Sequence, residues 1–469
     1  MTTSHPDAVV GLPAHLLNQF DVPGPRYTSY PTADRFVEAF TQDDYVQALR
    51  QRAEGATVGG KKPLSLYLHI PFCESVCYYC ACNKVITKHH EKGAEYVRAL
   101  GREIDLHVEQ MGRGQAVTQV HFGGGSPTFL SDAELGDLMG CLREAFRVVP
   151  GAEISIEVDP RTASSERLGR LRDMGFNRIS FGVQDFDPQV QVAVHRVQPF
   201  EQVRDLLVAG RELGFESTNV DLIYGLPKQT PDSFAQTIRR VGELRPDRIA
   251  LYSYAHLPQR FKPQRRIHAE DLPPASHRVQ MLSAAIAGFL GFGYTYIGMD
   301  HFALPGDSLA AAKRQGRLQR NFQGYSTQPD CDLIGLGVSS IGKMGAVYSQ
   351  NAKTLEEYYD ALAQRRLPVV RGIALTRDDL VRRAVIMAIM CQGRLDFESI
   401  ELAHLVNVQD YFQSELSGLA PFVEMGLVTL EPGALQVTAQ GWYFVRAIAM
   451  CFDRHLQADR VRGRFSKII

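Results

Sequence analysis

The sequence predicts an α/β protein built on an incomplete, TIM-like (β/α)6 barrel, with an N-terminal arm and a mainly helical C-terminal domain. Three observations carry that prediction. Short apolar strand patterns alternate with amphipathic helical patterns from residue 64 to about residue 300, as parallel strands joined by crossover helices require. About six such units are present, short of the eight that close a full barrel. Polar residues recur at the C-terminal ends of the strands, where barrels gather their functional groups. A barrel left unclosed has a lateral opening, which suits a wide substrate.

Residues 1–60 form the arm, with Pro23-Gly24-Pro25 ahead of Arg26-Tyr27-Thr28-Ser29-Tyr30-Pro31 and a helical pattern from about residue 41 to 53. Two tyrosines, an arginine and two hydroxyl residues are a costly composition for a linker, so the arm is expected to act as a lid or substrate contact. Residues 61–300 carry the barrel. Its strands are expected at 64–70, 118–122, 153–158, 178–182, 218–223 and 248–254, with a further candidate at 294–299. Helices are expected near 93–111, 131–146, 164–174, 199–213, 231–243 and 275–290. Residues 301–370 read as an irregular, Gly-rich barrel extension, densest at Gly335-Leu336-Gly337-Val338-Ser339-Ser340-Ile341-Gly342. Residues 371–469 read as helices with a hairpin about the turn Glu431-Pro432-Gly433, similar to the wing of a winged helix. Few basic residues flank it, so a packing role over the barrel mouth is favoured over DNA binding.

The 469 residues suffice for one large core and smaller units. With 51 Lys and Arg against 52 Asp and Glu, bulk charge gives no case for nucleic acid or an anionic membrane. Met1-Thr2-Thr3-Ser4-His5-Pro6 lacks the features of a signal peptide, and no stretch approaches the ~20 apolar residues of a membrane span. Eight cysteines, four of them between 73 and 82, fit a reducing compartment and a metal site. Cys141, Cys331, Cys391 and Cys451 read as small core residues. A cytoplasmic enzyme is expected.

The chemistry centres on Cys73-Glu74-Ser75-Val76-Cys77-Tyr78-Tyr79-Cys80-Ala81-Cys82, a loop directly after the first strand. Thiolates select iron–sulfur clusters, zinc or copper(I). A cubane normally takes four cysteines, so three at this spacing would leave one iron open to an outside ligand. The alternative is structural zinc on Cys77, Cys80 and one of Cys73, Cys82 or His69. No second Cys-x-x-Cys knuckle is present, and spacing favours the cluster. Later strands end in Gly123-Gly124-Gly125-Ser126-Pro127-Thr128, in Glu157 and Asp159, in Gln184 and Asp185, in Asp221, and in Tyr252 and Tyr254 before His256. Buried carboxylates are costly unless paired, so a cationic ligand is expected to meet them.

Tyr67-Leu68-His69-Ile70-Pro71-Phe72-Cys73 with the three-cysteine spacing resembles the radical S-adenosylmethionine superfamily. The continuation Cys80-Ala81-Cys82-Asn83-Lys84 and the Arg26-to-Pro31 run resemble the oxygen-independent coproporphyrinogen III dehydrogenases of haem biosynthesis, over nearly the whole chain. The resemblance implies a radical SAM barrel and a 4Fe-4S cluster on Cys73, Cys77 and Cys80, its open iron chelated by S-adenosylmethionine; Cys82 belongs to the pattern without being a ligand. Tyr67, Gly123, Glu157 and Ile341 match contacts to that first S-adenosylmethionine, Tyr67 and Glu157 counting with the cysteines as catalytic. Tyr79, Gly124, Gly125, Gln184, Arg196, Asp221 and Ala255 match contacts to a second molecule. Tyr79 stands for a Phe and Ser126 for a Thr, swaps that keep the ring and the hydroxyl.

The implied reaction begins when a low-potential donor such as flavodoxin or ferredoxin reduces the cluster. A 5′-deoxyadenosyl radical then takes a β-hydrogen from a substrate propionate. Carbon dioxide and an electron leave, and a vinyl group remains. Two such steps turn coproporphyrinogen III into protoporphyrinogen IX in a monomeric enzyme without nucleic acid or membrane partners. Arg26, Lys84, Arg161, Arg178 and Arg196 are candidate cations for the four substrate carboxylates. Two other readings are a haem-binding chaperone of the same superfamily and a metal-sensing DNA-binding regulator. The Cys-Asn-Lys continuation and the arm argue against the first, and near-neutral charge against the second.

Overall fold

Six strands, β1 (Leu64–Ile70), β2 (Gln115–Gly124), β3 (Phe146–Val158), β4 (Arg178–Gln184), β5 (Ser217–Tyr224) and β6 (Arg248–Ser253), lie side by side in chain order, every pair parallel. The computed structural model describes residues 14–20, 22–55, 62–299, 301–328 and 330–457. Each strand is followed by a helix: α1 (Glu91–Met111), α2 (Asp132–Ala145), α3 (Ser165–Asp173), α4 (Phe200–Glu212), α5 (Pro231–Leu244) and α6 (Ala275–Gly291). The helices begin where the sequence provides caps. Ser131 and Glu134 form a reciprocal capping box at the start of α2, and Thr230 caps α5 just before Pro231.

Register decides what faces inward. Tyr67 pairs with His121, His121 with Ser155, Glu157 with Ser180, Gly182 with Asp221, and Asp221 with Ala250. Side chains alternate along a strand, so Tyr67, His121, Glu157, Asp221 and Tyr252 share one face. The opposite face presents Leu66, Leu68, Val120, Phe122, Ile156, Phe181, Val220 and Leu251, all buried. The helices cover that apolar face; a Cβ added to Gly210 of α4 would stand 3.0 Å from the Ile179 side chain. Parallel strands covered on both sides are normally apolar on both. Here the inner face is polar, which marks it as a site rather than a packed core.

Beyond the six units the sheet grows at both edges. β7 (Thr295–Gly298) and β8 (His301–Ala303) add antiparallel outside β6, so the 294–299 pattern is an edge strand and not a further barrel unit. On the other side β9 (Asp332–Leu336) runs parallel to β1, followed by the antiparallel meander β10 (Ile341–Met344), β11 (Val347–Asn351) and β12 (Val369–Ala374). The described residues between 301 and 370 therefore form short strands and two helices, Ser308–Arg314 and Leu355–Ala363, and are not irregular. Strands of three to six residues are too short to show a period, and glycines replace side chains where backbones touch: a Cβ at Gly335 would lie 2.5 Å from the Ile341 carbonyl oxygen. The β12 and β7 edges do not pair, and the sheet stays open.

The described part of the arm is packed rather than free. Tyr27 and Tyr30 are fully buried, the Tyr27 hydroxyl donates to Asp453 at 3.0 Å, and Arg446 Nε donates to the Pro25 carbonyl at 2.7 Å. The C-terminal region holds the helix Arg377–Gln392 and a small sheet of Arg394–Asp396, Val428–Glu431 and Ala434–Val437, the last two forming the hairpin expected about Pro432. It docks on the β7 edge through Trp442, whose indole donates to the Ile297 carbonyl at 2.9 Å. No helix among the described residues is long and apolar enough to cross a membrane.

Candidate active site

The cysteine loop leaves the C-terminal end of β1 and is tied down at several points. Phe72–Cys73 pairs in parallel with Val85–Ile86, which closes the loop on itself. Lys84 donates its ammonium to the Cys80 and Cys82 carbonyls at 3.1 and 3.3 Å. From the β4–α4 connection, His195 donates Nδ1 to the Val76 carbonyl at 2.8 Å and stacks on Tyr78, ring centroids 5.0 Å apart. All four cysteines of the loop are free thiols.

The glycine triplet at the end of β2 is the bed on which this loop lies. The Gly125 and Ser126 amides donate to the Ile70 and Phe72 carbonyls at 2.8 Å each. A Cβ at Gly125 would stand 2.7 Å from the Pro71 carbonyl oxygen and 2.8 Å from that of Phe72. Gly124, at φ +112°, would drive a Cβ to 2.6 Å from the His69 ring. Only residues without side chains allow β2 to approach β1 this closely.

Inside the half-barrel, Tyr67 stacks on His121 with centroids 5.9 Å apart and planes 16° from parallel. His121 lies 2.6 Å by Nδ1 from Ser155 Oγ and 3.4 Å by Nε2 from Glu157 Oε1, while Glu157 Oε2 accepts the Gly124 amide at 3.2 Å. His69 donates Nε2 to the Asn83 carbonyl at 2.9 Å, which leaves Nδ1 to accept the Tyr67 hydroxyl at 3.2 Å. Burial holds this imidazole below its usual range. Both ring nitrogens are engaged, so His69 is not available to the zinc tetrahedron considered above. Asp221 accepts from Asn219 at 2.8 Å and Ser180 at 3.3 Å. Burial, and next the nearby Glu157 charge, push its carboxyl up to about 7.

Cationic groups surround Cys77. Arg196 Nη1 lies 3.5 Å from its sulfur and Arg161 Nη2 3.8 Å. Asp159 joins the two guanidiniums, accepting from Arg161 at 2.6 Å and from Arg196 at 3.2 and 3.3 Å. Burial pushes the Asp159 carboxyl up, but Arg196 and Arg161 together hold it below the usual range. Arg196 also donates to the Gly182 carbonyl at 2.6 Å, and the absent side chain there gives it room. The Cys82 thiol, then Lys84, bring Cys80 down to about 6, whereas burial pushes Cys73 up to about 12. Among the described residues no three His, Cys, Asp or Glu side chains converge as one metal ion would need. Three soft thiols strung along a loop beside fixed cations fit a cubane, whose ligands each bind a different iron.

The remaining expected residues fall around this centre. Gln184 ends β4 at φ +69°, and Ile341 begins β10, its backbone against Gly335, the register partner of Tyr67. Tyr79 and Ala255 are linked by Gln264, which sequence reasoning missed: Nε2 donates to both carbonyls, at 3.0 and 3.2 Å, and Oε1 accepts the Leu257 amide at 2.6 Å. Asp185 braces the β5–α5 loop through Gln229 and Thr237. Arg178 is misplaced by the expectation that it meets substrate. It is the first residue of β4, at the end of the barrel away from the cysteines, and is spent on Glu153 and Ser308.

A three-cysteine loop at the C-terminal mouth of a parallel half-barrel, bedded on glycines and facing a polar floor, defines a radical S-adenosylmethionine protein. The Radical SAM superfamily model matches residues 67–241 and the HemN C-terminal domain model residues 375–444. The chain is 48% identical over 458 residues to the oxygen-independent coproporphyrinogen III oxidase of Pseudomonas aeruginosa (97% of this chain, 98% of that one). It is 48% identical over 454 residues to that of Escherichia coli, with the same coverage. The solved structure described as coproporphyrinogen III oxidase (HemN) from Escherichia coli, a radical SAM enzyme, covers 96% of this chain and 100% of its own at a TM-score of 0.89 and 47% identity. The chain belongs to the oxygen-independent coproporphyrinogen III oxidase family.

Proposed function

We propose that Cys73, Cys77 and Cys80 are the three protein ligands of the family's 4Fe-4S cluster, and that the polar inner face receives S-adenosylmethionine in the anaerobic oxidation of coproporphyrinogen III. The enzyme converts two propionate side chains of coproporphyrinogen III to vinyl groups by oxidative decarboxylation in haem biosynthesis. The observation that carries the site assignment is the glycine bed. Gly124 and Gly125 lie against His69, Pro71 and Phe72 at the start of the cysteine loop, while Gly123 and Gly124 meet Glu157, so cluster and cationic ligand would meet near one point.

When bound, the cluster and S-adenosylmethionine together supply reductive cleavage of a carbon–sulfur bond. The chain's residues do the rest. Glu157, fixed by the Gly124 amide, offers a carboxylate to the ligand's ammonium group, with Tyr67, Gly123 and Ile341 completing the first molecule's contacts. Tyr79, Gly124, Gly125, Gln184, Arg196, Asp221 and Ala255 line the place of a second one. The half-buried Tyr67–His121 stack forms part of this floor. Lys84 holds the loop carbonyls and is not left for substrate. A low-potential carrier of the flavodoxin or ferredoxin type would feed the cluster, and the enzyme is read as a monomer.

The test is anaerobic reconstitution with iron and sulfide, followed by assay of carbon dioxide and 5′-deoxyadenosine from coproporphyrinogen III. Cys77→Ala is expected to lose both products. Decarboxylation by that variant at the parent rate would refute the ligand assignment, and haem binding without turnover would favour the chaperone reading.

A further inference from the structure

Four of the five cations first considered for the substrate carboxylates already have protein partners: Arg161 and Arg196 share Asp159, Arg178 meets Glu153, and Lys84 caps loop carbonyls. The fifth, Arg26, lies elsewhere. Its guanidinium stands over the Tyr252 ring, 5.2 Å from the centroid, on the inner face that carries Asp221 and Glu157. A second guanidinium joins it. Arg320 donates Nε to the Arg26 carbonyl at 3.0 Å and stands 4.7 Å over the Tyr325 ring. Arg320 is 6% exposed, and its Nη1 is buried without a hydrogen-bond partner. Between the two rings lies His301, edge-on to both, its Nδ1 donating to the Met299 carbonyl. Burial and the Arg320 charge push this imidazole down to about 3, so it is neutral.

Among the described residues neither Arg26 nor Arg320 has a carboxylate partner. A desolvated guanidinium without one is costly, and burying a second cation beside it compounds the cost. Aromatic faces return part of this, and they hold both guanidiniums in place while the buried Arg320 Nη1 stays unpaired. That is how a carboxylate fork is prepared. We infer that Arg26 and Arg320 form a subsite that receives a propionate carboxylate of the tetrapyrrole substrate. This rests on the reading of the inner face as the reaction chamber and adds a residue, Arg320, that sequence reasoning did not reach. It also explains why the arm is pinned by Tyr27 and Pro25: the pinning fixes Arg26 over Tyr252.

Coproporphyrin III and its tetramethyl ester, both stable in air, serve as probes by fluorescence titration of the reconstituted protein. The parent protein is expected to bind the acid tightly. Arg26→Ala and Arg320→Ala are each expected to weaken acid binding about tenfold or more while leaving ester binding unchanged, and Arg320→Lys to recover part of the loss. Iron and sulfide content at parent levels shows the fold intact; Arg26, half-buried, serves where the deeper Arg320→Ala does not fold. Equal effects on acid and ester, or none on either, would overturn the subsite. A parent protein that holds its cluster but binds neither probe would instead overturn the reading of the chamber.

Discussion

Arg196 Nη1 lies 3.5 Å from the Cys77 sulfur, and Asp159 grips the same guanidinium together with that of Arg161, whose Nη2 lies 3.8 Å from that sulfur. Hydrogen bonds to ligand sulfur and local net charge set the potential of an iron–sulfur cluster. Two guanidiniums against one carboxylate leave a net positive charge, which favours the reduced, more negative state. Arg161→Ala is expected to move the cluster midpoint to a more negative value, with Arg161→Lys in between. Potentiometric titration followed by EPR reads this directly, and an unchanged midpoint would show that the pair only orders the loop.

The glycine bed makes a sharper steric prediction. In Gly125→Ala the new methyl group meets the Pro71 and Phe72 carbonyl oxygens, both backbone, so β2 or the loop leading to Cys73 must shift. A loss of about 1–3 kcal/mol in stability is expected, with reduced iron content after reconstitution. Gly136→Ala in α2 is the control. Nothing stands within 4 Å of its Cβ, and removing a helical glycine is expected to add up to about 1 kcal/mol. Denaturant melts and iron analysis on the two variants test the contrast.

The strands that carry this bed were legible because each repeats an apolar residue at every second position, as Leu64, Leu66, Leu68 and Ile70 do in β1. The intervening residues, Ser65, Tyr67 and His69, are polar, and Ser155, Ser180 and Asn219 continue the series. That alternation already shows that one face of a parallel sheet is not apolar core. Arg178 was readable too, since the first residue of a parallel strand cannot stand at its C-terminal end. β9 to β12 were not legible: their strands are short, and the pairing of Asp332–Leu336 with β1 spans more than 250 residues of chain. Long separation likewise hid Arg320 and Gln264, whose partners lie in distant segments.

Gln264 illustrates what such a hidden residue does. Its amide joins the Tyr79 and Ala255 carbonyls and the Leu257 amide, and it is 1% exposed. Gln264→Ala removes the partner of three part-buried backbone groups. The expected cost is about 1–3 kcal/mol, and the separation of Tyr79 from Ala255 is expected to weaken S-adenosylmethionine binding while iron content stays at the parent level. Calorimetric titration against iron analysis distinguishes this from general unfolding.

Asp221 supplies a pH dependence whose sign is fixed by its surroundings. Its carboxyl titrates at about 7 in the fold, chiefly through burial and next through Glu157, against an ordinary 3.8. The folded chain therefore binds this proton more tightly than the unfolded chain. The stability it contributes is full below about pH 4 and is lost as pH rises toward 7. A cationic ligand needs the ionised form. Between pH 6 and 8 the ionised share rises from about one-tenth to about nine-tenths, so S-adenosylmethionine affinity is expected to rise about tenfold over that range. Asp221→Asn keeps the shape: its oxygen accepts from Asn219, and its amide donates to Ser180, whose hydroxyl can accept. In that variant the tenfold rise is expected to vanish, and calorimetric titrations at pH 6, 7 and 8 on both proteins measure it. Parallel pH profiles in the two would place the titrating group on the ligand, not on Asp221.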